Sequence, residues 1–272
     1  MKIKIFRRIT QALTILLIIA MPLMNKKGIA VITGSLYSLS IDGIWITDPL
    51  SGFQVIVSTL SANTTLILSM LIPISIALVF GRIFCSWMCP QNSISELFDY
   101  IARRLFPLLK WGKEGLRLFN LSPSAKPRYA ILIALFALTP LLGFPVANLI
   151  SSPGIISVQI TKYFYEGIVG IELGLIGIIV VLEVFFVRRL WCNYICPVGS
   201  FLGIFRSGKT MKVVYSEDAE HLCGRCMECV DVCQLGLNPM GGKVYPLCHN
   251  CGDCIVKCEK IKGKGKPLSF KM

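Results

Sequence analysis

Twelve cysteines fall into three sets along the 272-residue chain, and their spacing decides which thiol chemistry is open to them. Two sets are short: FCSWMCP holds Cys85 and Cys89 ahead of Pro90, and RLWCNYICP holds Cys192 and Cys196 ahead of Pro197. The third is a run of eight near the carboxyl end. Thiols close disulfides, cycle as dithiols, or bind soft metals as thiolates. A secreted disulfide scaffold is short and soluble, and this chain is neither: 54% of its residues are apolar and 16% are charged. The spacings favour metal–sulfur ligation.

Residues 223–233 read CGRCMECVDVC and residues 248–258 read CHNCGDCIVKC. Both are Cys-x2-Cys-x2-Cys-x3-Cys, the spacing of two-cluster bacterial ferredoxins, in which three thiolates wrap one cube and the fourth crosses to the other. The pattern predicts one 4Fe-4S cluster on Cys223, Cys226, Cys229 and Cys258, and a second on Cys248, Cys251, Cys254 and Cys233. Structural zinc also takes four cysteines, but zinc ribbons supply ligands as two plus two. The ferredoxin pattern continues with proline after the fourth cysteine, where this chain has Gln234 and Glu259. That change bears on exposure and reduction potential rather than on ligation.

The two short sets belong to an internal repeat. FGRIFCSWMCPQNSISELF (80–98) lies over VRRLWCNYICPVGSFLGIF (187–205) at an offset of 107, with arginine, both cysteines, proline, serine and phenylalanine coinciding. Cysteines at i and i+4 share one helix face. The proline disfavours helical geometry at the residue before it, so Cys89 and Cys196 are expected at a helix end or break. Two such pairs meeting on a pseudo-two-fold axis would make a four-thiolate pocket for a cluster or a soft metal. A dithiol relay and plain packing of small buried cysteines are the other readings.

The elements that would position these thiols read as an all-α membrane protein. Apolar blocks at Ile5–Met24, Thr64–Phe84, Tyr129–Ile150 and Ile168–Val187 are near the ~20 residues a transmembrane helix needs. No small-x-small cleavage site follows LLIIAMPLMN, so the first block is expected to stay as a span. The amino-terminal tail, the 81–128 loop and the segment after Val187 hold 25 of the 28 Lys and Arg; the loops 25–63 and 151–167 hold Lys26, Lys27 and Lys162. That bias predicts a multi-pass protein of the bacterial inner membrane with both termini cytoplasmic, and it explains the net charge of +13 without nucleic acid. The expected division is a four-span domain of two repeated hairpins over 1–210, then an α+β two-cluster ferredoxin-like domain in the cytoplasm over 211–272.

Absences narrow the chemistry. The chain has two histidines, His221 and His249, no Cys-x-x-Cys-His haem site, no phosphate-cradling glycine loop and no dinucleotide fingerprint. Hydride transfer, nucleotide hydrolysis and proteolysis lack parts, and single-electron transfer remains. Two acids fall inside the fourth apolar block, Glu172 and Glu183. Quinol oxidation releases protons with electrons, and Glu183, near the cysteines, is the candidate proton acceptor. Ile94, Leu97, Phe98, Ile101 and Leu105 recur at helical spacing beside Arg103 and Arg104, as in an interfacial amphipathic helix.

With CSWMCP, CNYICP, two ferredoxin motifs and the outer-loop segment WITDPL (45–50) in place, the chain resembles the NapH type of ferredoxin-like membrane proteins, quinol-dehydrogenase subunits of periplasmic nitrate reduction. MauN proteins of methylamine utilisation share the twin motifs. The resemblance implies a quinol dehydrogenase component that takes electrons from the membrane quinol pool. They would pass to a NapG-like periplasmic iron–sulfur protein and on to a periplasmic reductase. It also implies a relay or partner-coupling part for Cys85, Cys89, Cys192 and Cys196, with a further metal centre there as one form. The alternative is an assembly, maturation or amine-dehydrogenase accessory ferredoxin.

Overall fold

Two of the four apolar blocks become helices that stop early. The computed structural model describes residues 2–28, 32–105, 124–185, 188–216, 223, 226–241, 244–263 and 267–272. Helix α1 (Lys2–Lys26) is long, but its inward line is polar at the start: Arg7, Gln11 and Thr14 are buried ahead of Ile18 and Met21. Helix α3 (Thr64–Phe80) begins at the Asn63 cap and ends at Gly81, whose φ is 68°. Helix α6 (Lys126–Leu142) ends at Gly143 with φ 71°, a left-handed cap that glycine adopts without steric cost.

At 1.5 Å per residue, the 17 residues of α3 and of α6 each reach only about 25 Å, short of the ~30 Å hydrocarbon core. Helix α9 is described over Ile171–Phe185. The expectation of four transmembrane helices is therefore overturned: among the described residues no helix is long and apolar enough to cross a membrane. Nor is the fold all-α, since it mixes helices with two small sheets. Helices α3 and α9 turn apolar side chains outward, among them Leu68, Leu71, Ile72, Ile178 and Val181.

The first sheet occupies what reads as an outer loop. Strands β1 (Ile32–Gly34), β2 (Ser38–Ile41) and β3 (Ile44–Thr47) form an antiparallel meander. Asp42 and Gly43, at φ 48° and 84°, make the tight turn that pairs Ile41 with Ile44. Two positive φ values match the right-handed strand twist, and Asp-Gly is a preferred pair for this turn. Helix α2 (Pro49–Thr59) follows; Asp48 caps it by accepting from the Ser51 amide at 3.2 Å, with proline in the first turn.

This segment does not stay outside. Leu50 packs in one core with Ala77, Leu132, Leu135, Val146 and Ala147, and with Val198, Phe201 and Leu202 of α10 (Pro197–Leu202). Gln54, fully buried, accepts from the Ala147 amide and donates to Thr139 Oγ1 at 2.9 Å. Short helix α4 (Ile83–Trp87) leads into α5 (Pro90–Leu105), and α7 (Ala147–Ile150) into α8 (Ser152–Glu166). On α5, Leu97, Phe98, Ile101 and Leu105 are exposed, as an interfacial face would be.

In the tail, β4 (Lys212–Tyr215) pairs antiparallel with β5 (Leu268–Lys271), clasping the two cysteine motifs between them. Helices α11 (Glu228–Asp231) and α12 (Asp253–Lys262) each carry the last cysteines of one motif or lead to them. Val213, Cys229, Cys254, Ile255 and Leu268 form the tail's core.

Candidate metal centres

The tail gathers its eight thiols as two groups of four. Around Cys229, buried on α11, stand Cys223, Cys226 and Cys258; burial first, then these neighbours, push the Cys229 thiol up to about 11. The same four cysteines line one cavity with Met227, Met240, Tyr215 and Leu268. Cys233 neighbours Cys248, Cys251 and Cys254. Burial and then Cys233 raise Cys248 to about 11, opposed by the Asn250 amide. Each group therefore takes three thiols from one motif and one from the other. The Leu237 amide donates to Cys233 Sγ at 3.3 Å.

The twin motifs share one backbone solution. The Cys89 amide donates to Phe84 O at 2.9 Å and the Cys196 amide to Trp191 O at 2.8 Å, both widened i to i−5 turns. In the second copy this is a π-helical turn, Trp191–Ile195. Such a turn ejects the second cysteine from its helix, and the proline behind it starts the next. Cys196 accordingly sits at φ −54°, ψ 112°, capping α10. Ser93 and Ser200 then repeat the same pair of bonds to the Cys89 and Cys196 carbonyls.

These breaks bring the four thiols together. Cys85 and Cys196 both act on Cys89, and Cys196 and Cys89 both act on Cys192. Burial raises Cys89, Cys192 and Cys196. Opposing it, the amides of Gln91 and Asn92 face Cys89 and that of Gly199 faces Cys196, a helix start that favours a thiolate.

One thiol of the motifs also adjoins the tail. Cys192 packs against Leu235, Leu237, Val244 and Leu247, the apolar cluster that Cys233 and Cys248 also pack against. Ser86 Oγ donates to His249 O at 2.7 Å and Trp87 Nε1 to Asn250 O at 3.3 Å, while Asn193 Nδ2 donates to Leu235 O at 3.3 Å. Arg82, buried, donates through Nη1 to Pro246 O at 3.1 Å and Leu247 O at 2.9 Å. Of these residues, Cys192 and Arg82 stood out as coincidences of the repeat, while Ser86, Trp87 and Asn193 did not. The available signal was a polar residue, Ser86 or Asn193, at one position of an apolar repeat.

A buried ionic network completes the contact. Arg7 Nη2 pairs with Glu96 at 3.2 Å and with Asp253 at 3.0 Å, and Gln234 Nε2 donates to Asp253 at 2.8 Å and also to Glu96. Gln234, the departure from the ferredoxin proline, thus ties the tail to α1 and α5.

Glu183 is buried beside Cys192. Its Oε2 accepts from Ser95 Oγ at 2.8 Å, its Oε1 from the Trp191 amide at 3.0 Å, and Arg189 Nη1 lies at 3.8 Å. Glu172 accepts from Gln159 Nε2 at 2.9 Å, away from the thiols. His249 is buried, and burial followed by Arg82, Arg7 and Arg189 drives its pKa well below the usual value. His221 lies outside the described residues, as do residues 106–123 of the central loop.

Among the described residues, no group of three Cys, His, Asp or Glu is placed to hold a single metal ion. All-thiolate sets of four suit iron–sulfur clusters, and one such set, Cys223, Cys226, Cys229 and Cys258, lines a single cavity. The 4Fe-4S binding domain family matches residues 62–108 and 169–212, the two stretches that contain the twin motifs. The ferredoxin-type protein NapH of Escherichia coli (strain K12) is 28% identical over 237 residues, covering 82% of this chain and 75% of that protein. NapH of Haemophilus influenzae is 27% identical, covering 82% and 76%. The methylamine utilization ferredoxin-type protein MauN of Methylorubrum extorquens is 26% identical, covering 84% and 73%. No solved structure matches. Motifs, thiol groups and relatives agree on a ferredoxin-type iron–sulfur protein of electron transfer, similar to NapH and MauN.

Proposed function

We propose that this protein takes electrons from quinol and passes them toward a periplasmic reductase, with nitrate reductase the first candidate by its likeness to NapH. The observation that carries the reading is that Cys192 of the motifs and Cys233 and Cys248 of the tail all pack against one apolar cluster, Leu235, Leu237, Val244 and Leu247. Bound iron–sulfur clusters supply one-electron oxidation and reduction. Cys223, Cys226, Cys229 and Cys258 would hold one 4Fe-4S cluster, and Cys248, Cys251, Cys254 and Cys233 another. Cys85, Cys89, Cys192 and Cys196 would hold a third iron–sulfur centre, supported by the family match to the stretches that carry them.

Quinol loses two electrons and two protons on becoming quinone, so the protein must accept electrons singly and place the protons on bases or solvent. Glu183 is the candidate for one proton. Protonation at Oε1 would give up the Trp191 amide, so proton uptake there bears on the turn that carries Cys192. The electrons would leave to a NapG-like iron–sulfur partner. Outward apolar faces on α3 and α9 support a place of action at the bacterial inner membrane.

The test is anaerobic purification of the full chain, followed by mixing with menaquinol or ubiquinol while the cluster absorbance is recorded. Bleaching that depends on quinol and is lost in Cys85→Ala and Cys192→Ala is the expected result. Centres that dithionite reduces but quinol does not, even with the partner iron–sulfur protein present, would refute the quinol part.

A further inference from the structure

Two guanidiniums converge beside the twin-motif thiols with no carboxylate among the described residues to neutralise them. Arg82 and Arg128 are 4% and 1% exposed. Arg128 Nε donates to Ser200 Oγ at 3.0 Å, and Arg82 donates to two tail carbonyls. Among the described residues neither has a carboxylate within ion-pair distance. Arg82 Nε and Arg128 Nη2 have no hydrogen-bond partner among the described residues.

Both side chains lie against one residue, Gly199. A Cβ there would come within 2.5 Å of Arg82 Nη2 and 3.2 Å of Arg128 Nη2. Gly199 is also the residue whose amide faces Cys196. Its missing side chain is what lets two like charges sit together at the thiols.

Burying one unpaired charge costs several kcal/mol, and burying two beside each other adds repulsion. Arg128 registers this, pushed down to about 10 by burial and then by Arg82. The stabilising influences on it come from Cys196, Cys85 and Tyr129. Arginine stays charged in proteins, so an anion has to complete the site. Four thiolates around an iron–sulfur core carry a net charge of two minus in the oxidised state, which matches two arginines.

We propose that Arg82 and Arg128 are the counter-charge of a dianionic tetrathiolate iron–sulfur centre on Cys85, Cys89, Cys192 and Cys196, and that they set its potential. The inference rests on the reading of those four cysteines as an iron–sulfur site, and it assigns two positioning residues to it. The reduced centre carries one further negative charge, so nearby cations favour reduction and their removal favours the oxidised form. The second arginine of the repeat, Arg189, is not equivalent in this respect, because Asp99 at 3.1 Å and Glu183 at 3.8 Å already face it.

The experiment is an EPR-monitored redox titration of the anaerobically purified full chain, in wild type, Arg128→Gln, Arg128→Lys and Gly199→Ala. In Arg128→Gln the reduced-to-oxidised ratio of the motif centre at the wild-type midpoint should fall at least about tenfold, or 59 mV for a one-electron centre. Arg128→Lys should recover most of that shift, and the centre on Cys223, Cys226, Cys229 and Cys258 should not move. Gly199→Ala displaces Arg82 and should shift the motif centre in the same direction, which guards against a variant that fails to fold. A motif centre present in wild type but unmoved in both Arg128→Gln and Gly199→Ala overturns the proposal. A wild-type chain with only the two tail centres removes the underlying reading of the four cysteines, and the proposal with it.

Discussion

Ser86 and Asn193 occupy the same position in the two copies of the repeat, and each donates its side chain to a carbonyl of the tail. Ser86 reaches His249 O at 2.7 Å, one residue past Cys248, and Asn193 reaches Leu235 O at 3.3 Å, two residues past Cys233. The two motifs thus hold the two ends of one thiol group. Buried carbonyls left without donors cost about 1–3 kcal/mol. Ser86→Ala and Asn193→Ala should each destabilise the protein by roughly that amount, with a lower urea midpoint and faster proteolysis of the tail. An unchanged midpoint in both would show that the docking lies elsewhere.

Glu96 answers to Arg7, whose side chain is 1% exposed, and to Arg8 and Gln234 as well. Breaking a buried pair strands its partner and costs about 3–5 kcal/mol. Glu96→Ala should therefore lower stability by that order, whereas Glu166→Ala removes an exposed partner of Lys162 at 4.0 Å and should change little. Chemical denaturation of the two variants side by side makes the comparison.

Crossed ligation has a signature that neighbouring ligation lacks. Cys258→Ala should remove the same spectroscopic centre as Cys223→Ala, although 35 residues separate them and Cys254 lies closer in sequence. Cys233→Ala should instead match Cys248→Ala. Each should lower bound iron by about four atoms, read by iron analysis and Mössbauer spectroscopy. Loss of the wrong centre in either variant would break the pairing.

Asp48 supplies a pH dependence remote from the thiols' own titration. Burial raises its carboxyl to about 6, against the opposing Ser51 amide and hydroxyl and the Leu50 amide. A raised acid pKa means the folded state prefers the proton, so this contribution is present below about pH 4 and fades as pH climbs through 6. Asp48→Asn keeps a capping oxygen and discards the charge. It should flatten stability between about pH 4 and 6 and add up to about 2 kcal/mol near neutrality. Thermal melts across that range would show a parallel offset instead if the carboxyl is not the cause.

The thiol pattern was the legible part, because ligand spacing is local and survives without knowledge of the fold. The crossing of Cys258 and Cys233 is an expectation of the same pattern, and the paired cysteine variants above decide it. Helix length was not legible from hydropathy. A window over Thr64–Phe84 averages across Gly81, and one over Tyr129–Ile150 averages across Gly143, where single left-handed residues end the helices. The meander over 32–47 was not read from the sequence: its strands are three or four residues long and too short for a clear alternation, although Asp42-Gly43 suits the turn between two of them. Gln234 looked like a lost proline. Its role depends on Glu96 and Asp253, which no local reading connects to it.

Duplication copied the backbone of the cysteine turn but not its electrical balance. Arg189 is met by two acids, while Arg82 faces carbonyls beside Cys248. The field across the four sulfurs is consequently lopsided, more positive on the flank of the first copy. A scaffold built from two copies of one turn is thereby made electrically unequal at its thiols.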